Sequence, residues 1–303
     1  MRVLELLQHD SREVLLLDIS DLPYRASLVA AYSQSGLDRL EYLGNGRGSV
    51  PLNRVRSVWW RRPQVPDLLS IPDDNVRAFT YNEWQEATNG LWQLIDAPWM
   101  NPPARDEVAG RKLLQLKIAA ELGLRIPRTL VTSDPDQARS FIAELGVERT
   151  VFKTFSCTHE IWRETRLVGR QELDLLDSVR LAPVIFQEYI PADADLRITL
   201  VGESIFPAAI HNRETDYPVD FRMSLGQALT EATELPPEVE RKLHALMKCL
   251  GLVYGAVDMR RTPKGEHVFL EINTAGEFLF VEERTDLPIS SAVADWLVRP
   301  ASG

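Results

Sequence analysis

Residues 255–278, GAVDMRRTPKGEHVFLEINTAGEF, constrain this chain more than any other stretch. Val253, Gly255, Val257 and Met259 alternate with Tyr254, Ala256, Asp258 and Arg260, which predicts a strand. Pro263-Lys264-Gly265 supplies a turn, and His267 to Asn273 predicts the returning strand of a hairpin. Side chains alternate faces along a strand, so Glu271 and Asn273 point the same way, and a plausible hairpin register puts Asp258 on that face too. Two carboxylates and an amide oxygen form a hard-oxygen set. Mg²⁺ accepts such a set because it keeps few protein ligands and takes its other oxygens from water and phosphate. On pattern alone the same residues also read as carboxylates that face solvent or pair with Lys or Arg. Against that, Glu271 interrupts an apolar run, VFLEI, where an unpaired carboxylate is costly.

The chain has 34 basic and 44 acidic residues, a formal charge of −10, which argues against general binding to nucleic acid or to an anionic membrane. Its 303 residues suffice for two or three lobes. The cysteines Cys157 and Cys249 have neither a disulfide framework nor zinc spacing, so a reducing cytoplasm is the expected compartment. There is no signal peptide and no apolar run of about 18 residues, so neither export nor membrane spanning is expected.

In chain order, Val3, Leu4, Leu6 and Leu7 predict a short helix, Glu13 to Ile19 a strand, Gly44-Asn45-Gly46 a turn, and Arg54 to Trp60 a second strand. Trp59 and Trp60 read as packing residues. Phe79, Trp84, Ala87, Leu91, Trp92 and Ile95 keep helical spacing. Asn101-Pro102-Pro103 marks a boundary. The next helix carries Lys112, Leu113, Leu116 and Ala120 and stops at Gly123. Asp134 and Pro135 begin another, which Gly146 ends. Arg149 to Phe155 predicts a strand with Lys153 inside an apolar alternation, a position that calls for an anion. Val184-Ile185-Phe186 leads into the polar stretch Gln187 to Ile190. Leu196–Val201 and Ser204–His211 pair around Gly202-Glu203, and Pro237 starts a helix that Gly251 ends.

Taken in order, SVWWRRP, Lys112, Lys153, QEYI, Asp195, Arg213, Arg222, and the Asp258, Glu271, Asn273 set resemble the ATP-grasp ligases. Within them, SVWWRRP and NTAGEFLFVEERTDLPIS resemble the graspetide (microviridin-type) ribosomal peptide maturases. The resemblance implies an α/β chain of α+β lobes: an N-terminal pre-ATP-grasp domain over residues 1–103, a linker helix and central lobe over 104–190, and a C-terminal lobe with the metal site over 191–303. It implies ATP and Mg²⁺ as cofactors. Lys112 and Lys153 fall on the family's phosphate-binding lysines, Gln187, Glu188, Tyr189 and Ile190 on the adenine hinge, and Asp195 on the ribose acid. Asp258, Glu271 and Asn273 fall on the metal ligands. Arg213 and Arg222 fall on arginines that face the transferring phosphoryl group. The implied reaction activates Asp or Glu side chains of a ribosomal precursor peptide as acyl phosphates, which Ser, Thr or Lys side chains displace to close ω-ester or ω-amide rings. The implied partner is that precursor, a leader plus an acidic and hydroxyl-rich core, and the resemblance implies that the enzyme is a homodimer.

The chain departs from the family pattern twice. Members usually open on a strand before the first helix, expected here to be absent or shortened. The stretch SCTHEIWRETRLV has no glycine where many members carry a glycine-rich loop, leaving Ser156, Thr158 and backbone amides to cover phosphates. Arg163, Arg166 and Arg170 read either as contacts for an acidic peptide or as surface charge. His211 reads as a packed histidine rather than a base. QEYI-x4-DLR also resembles the glutamate-adding ribosomal-protein ligases, so two alternatives remain: a glutamate ligase, and a non-catalytic peptide-binding homologue.

Overall fold

The apolar spacing near the N-terminus produces a helix, but the next apolar run does not become a strand. A computed structural model describes residues 2–9, 12–44, 46, 48–155, 165–211, 219, 226 and 228–299. Helix α1 (Arg2–His9) is followed by irregular chain from Arg12 to Asp18, where a strand was expected over Glu13–Ile19. Leu15 and Leu17 pack against the neighbouring core without a ladder partner. The Asp18 carboxylate accepts the Ser20 N–H at 2.9 Å and starts a short 3₁₀ turn instead.

Strands β1 (Ala26–Ser33) and β2 (Gly36–Gly44) form an antiparallel hairpin that β3 (Ser49–Pro51) extends. The predicted strand over Arg54–Trp60 is reduced to β4 (Val58–Trp59). Helix α2 (Asp74–Trp92) begins at the Asp73 carboxylate, which caps the Asn75 and Val76 N–H groups. It leads to β5 (Trp99–Met100), parallel to β4, and α3 (Pro103–Ala109). Trp60 lies edge-on to Trp92 and Trp99, with centroids 5.9 and 6.2 Å apart, so it is a packing residue as expected.

Helix α4 (Lys112–Glu121) ends where Gly123 takes a positive φ of 73°. Then follow β6 (Thr129–Thr132), α5 (Pro135–Leu145), β7 (Thr150–Lys153), β8 (Arg166–Leu167), α6 (Arg170–Asp174) and β9 (Val184–Glu188). These strands make a sheet in the order β6-β9-β7-β8, and Phe186 of β9 shares a core with Ala138 and Ile142 of α5 and with Val168 just past β8. The chain continues through β10 (Ala194–Val201), β11 (Ser204–His211), β12 (Leu229–Ala232), α7 (Pro237–Leu250), β13 (Tyr254–Arg261), β14 (His267–Asn273), α8 (Leu279–Thr285) and α9 (Ile289–Val298). Here the sheet order is β12-β11-β10-β13-β14. Every residue of β10 is buried, so its charged side chains must find partners inside.

The chain divides into two compact units: residues 1–107 with 252–254 and 290–303, and residues 108–251 with 255–289. The segments expected as central and C-terminal lobes thus share one unit, while residues 290–303 group with the N-terminal one. The stitching inside the larger unit is polar. The Gln115 amide of α4 donates to the Ile272 carbonyl at 2.8 Å and accepts the Ile272 N–H at 3.0 Å. In the smaller unit, Asn101 Oδ1 accepts the Val253 and Tyr254 N–H groups, which fastens 252–254 to it.

Candidate functional site

The hairpin register sets the geometry of the site. Asp258 lies directly opposite Glu271, and Ala256 opposite Asn273, with a bulge just after Asp258. Directly opposed residues share a face, so the bulge brings Asp258 onto the face that carries Glu271 and Asn273. Strand β14 is an edge strand, and its outer edge is covered rather than open. Phe269 N–H donates to the Arg125 carbonyl at 2.8 Å, and Gln115 takes both backbone groups of Ile272. These bonds hold Glu271 in place from behind.

The two sheets of the larger unit face a cleft of about 850 Å³, part of it open to solvent. It is lined from one side by Val151, Lys153 and the run Gln187 to Ile190, and from the other by Asp195, Asp258, Arg260 and Glu271, with Lys112 at the end of α4. The structure therefore brings together Lys112, Lys153, Gln187, Glu188, Tyr189, Ile190, Asp195, Asp258 and Glu271. Asn273 sits at the exposed end of β14, outside the cleft lining, and its Oδ1 accepts the Ala275 N–H at 3.1 Å. Arg213 and Arg222 lie outside the described residues, as do Ser156, Cys157, Thr158 and Arg163. His211 pairs with Glu231 at 3.0 Å; it lies opposite Leu229, one residue beyond Ile210, which opposes Asp195, so alternation turns it away from the cleft face.

Charge in the cleft is interleaved. Lys112 Nζ lies 2.7 Å from Glu271 Oε2, Arg197 Nη1 lies 2.7 Å from Asp258 Oδ1, and Arg260 Nε lies 2.8 Å from Asp195 Oδ1. Burial alone lowers the Arg260 pKa, but Asp195 and Tyr189 outweigh it and hold the guanidinium above its ordinary value. The donor chemistry fits a magnesium ion: two carboxylates face each other across one hairpin, with lysine and arginine beside them to meet phosphate. Among the described residues no three His, Cys, Asp or Glu side chains converge as a metal-ligating group.

Hinge backbone groups are partly committed. Glu188 N–H donates to the Arg128 carbonyl, Tyr189 N–H to the Arg149 carbonyl, and the Ile190 carbonyl accepts from Arg260, each at 2.8 Å. The Gln187 side chain is buried and donates to Thr129 Oγ1 at 2.9 Å, so it stitches β9 to β6.

Sequence reasoning missed Arg197 and Arg260. Each stands two residues after an acid, within a strand whose neighbours are buried. The signal was present, because a charge inside an apolar run is the same feature that singled out Lys153 and Glu271. A further missed contributor is Gly276. A Cβ there would meet Ala256 Cβ at 2.4 Å and Arg197 Nη2 at 2.9 Å. The glycine lets Arg197 Nη2 reach the Glu277 carbonyl at 3.0 Å.

Comparison with known proteins gives a consistent picture. A model of the RimK-like ATP-grasp domain matches residues 109–297. The macrocyclase MdnC of Microcystis aeruginosa MRC, solved with precursor peptide MdnA, is 32% identical with a TM-score of 0.87, over 98% of this chain and 94% of that one. A RiPP-associated ATP-grasp ligase of Chryseobacterium gregarium, solved with ADP and a leader and core peptide, is 26% identical with a TM-score of 0.88, over 99% and 93%. A probable alpha-L-glutamate ligase of Klebsiella pneumoniae (strain 342) is 27% identical over 253 residues, 81% of this chain and 82% of its own.

Proposed function

The chain belongs to the RimK-like ATP-grasp family of ligases, and on that premise we propose that it closes ω-ester or ω-amide rings in a ribosomal precursor peptide. The observation that carries this reading is the full-length likeness to a peptide macrocyclase, 98% of the chain at 32% identity, which includes the N-terminal unit. ATP lies in the cleft between the two sheets. The Glu188 carbonyl and Ile190 N–H read the purine edge, since the Glu188 and Tyr189 amides and the Ile190 carbonyl already have partners. Asp195 takes the ribose, and Lys112 and Lys153 take phosphate oxygens.

Asp258 and Glu271, with Asn273 at the rim, would hold Mg²⁺, which would screen the phosphate charge. An Asp or Glu side chain of the peptide attacks the γ-phosphorus, and ADP leaves. Arg213 and Arg222 balance the charge that develops on the transferring group, as Arg197 does from beside Asp258. A Ser or Thr hydroxyl or a Lys amine of the same peptide then attacks the acyl carbon and expels phosphate, giving the ring. The enzyme supplies position and charge rather than a nucleophile. The working assembly is a homodimer, which light scattering tests.

A second reading is kept because the relatives named glutamate ligases match most of the chain. It shares the nucleotide site and differs in the second substrate. The deciding experiment incubates the protein with ATP, Mg²⁺ and a candidate precursor, then weighs the product. Loss of one water per ring, dependent on ATP, supports ring closure. A mass gain of one glutamyl residue moves the assignment to the glutamate ligase. Glu271→Gln should abolish turnover while leaving peptide binding intact; unchanged turnover would remove Glu271 from the metal site.

A further inference from the structure

Arg260 makes three hydrogen bonds in the cleft, and nothing in the reaction above uses it. It is 5% exposed, on β13, two residues past Asp258. Its Nε donates to Asp195 Oδ1 at 2.8 Å, Nη1 to the Ile190 carbonyl at 2.8 Å, and Nη2 to the Val219 carbonyl at 2.7 Å. Its guanidinium lies 5.3 Å from the centroid of the Tyr189 ring. One planar group therefore joins the last hinge residue, the acid at the start of β10, and the backbone at Val219.

We infer that Arg260 is a positioning residue that sets recognition of the nucleotide ribose by orienting Asp195, and that anchors the hinge at Ile190 to the same group. The argument is geometric. A carboxylate recognises vicinal hydroxyls only if its plane is fixed, and a buried carboxylate rotates unless its oxygens are held. The Nε–Oδ1 bond fixes Asp195, while Nη1 fixes Ile190, whose N–H is assigned to the purine. Base and sugar are thus referred to one rigid fork, and the distance between their contacts is set by the width of a guanidinium. Lysine carries the same charge but only a point donor, so it cannot reproduce three bonds in one plane. The bond to the Val219 carbonyl adds a third anchor.

The inference rests on the nucleotide site proposed above, and its test reads binding rather than ring closure. The full-length protein and its Arg260→Lys, Arg260→Met and Asp195→Asn variants are titrated with ATP and with 2′,3′-dideoxy-ATP, each with Mg²⁺, by calorimetry. Unfolding midpoints are recorded alongside. The wild type is expected to prefer ATP about tenfold or more, as for a hydrogen bond to a charged group. Arg260→Lys should reduce that ratio to near that of Asp195→Asn, and combining the two changes should reduce it no further. A purely structural role would weaken both nucleotides equally and leave the ratio at its wild-type value, which would overturn the inference. Arg260→Lys serves if Arg260→Met fails to fold. A wild type indifferent to the ribose hydroxyls also overturns it. A wild type that binds neither nucleotide overturns the proposed function with it, whereas absent ring closure with a responsive ratio leaves the inference standing.

Discussion

Replacing Gln115 by Leu probes how α4 holds the site strand. Gln115 is 2% exposed and makes three side-chain bonds: to the Ala109 carbonyl at 2.7 Å, to the Ile272 carbonyl at 2.8 Å, and from the Ile272 N–H at 3.0 Å. It gives the outer edge of β14 what a sixth strand would give, at the residue between Glu271 and Asn273. Leucine has similar bulk and no polar atoms, so the change isolates the hydrogen bonds. Each bond contributes about 0.5–1.5 kcal/mol net, and a buried backbone group left without a partner costs about 1–3 kcal/mol. Some relaxation toward water at the edge lowers the sum, so the expected loss is about 3 kcal/mol. For a unit of this size, that shifts the melting midpoint by about 6–12 °C. Urea unfolding followed by circular dichroism measures the loss. The exposed pair Lys117–Glu121, one turn further along the same helix, is the control, and Lys117→Ala should change stability by less than about 0.5 kcal/mol. If Gln115→Leu unfolds within about 0.5 kcal/mol of wild type, the edge of β14 is not held by this amide, and the account of how Glu271 is positioned fails.

Two further outcomes follow from the geometry. Gly276→Ala should destabilise the chain by about 1–3 kcal/mol, because the new Cβ lands on Ala256 Cβ and the Arg197 guanidinium; denaturant unfolding with a turnover assay reads both the strain and the displaced arginine. His267 titrates below its ordinary value of 6.5, because burial and then the Arg261 charge oppose its proton. The unfolded chain therefore takes up that proton first, so stability is full above the ordinary value and falls as pH drops through the lowered one. His267→Gln should flatten the stability profile between about pH 7 and 5, and an unchanged slope would remove His267 as its source.

What could be read from sequence was whatever depends on near neighbours along the chain. Alternation was enough to put Glu271 and Asn273 on one face, but the register leading from the Pro263–Gly265 turn would oppose Asp258 to Leu270, and it is the bulge after Asp258 that brings it opposite Glu271. The Asp134 cap and the glycine stops at Gly123, Gly146 and Gly251 are local signals too, and all three glycines have positive φ. The hairpin of β1 and β2 escaped, because residues such as Ser27, Ala30, Ser33 and Asp38 present a weak apolar alternation. Glu13–Ile19 was misjudged in the opposite sense: its apolar run suits a strand, yet the chain from Arg12 to Asp18 is irregular and Leu15 and Leu17 pack against the core. Tertiary structure alone decided which charges meet. Arg197 and Asp258, Arg260 and Asp195, and Lys112 and Glu271 are each separated by 60 residues or more, so no window of sequence pairs them. The fold joins them because a charge in a buried strand must find its opposite within reach. In this chain the strands that carry those charges are the ones that wall the cleft.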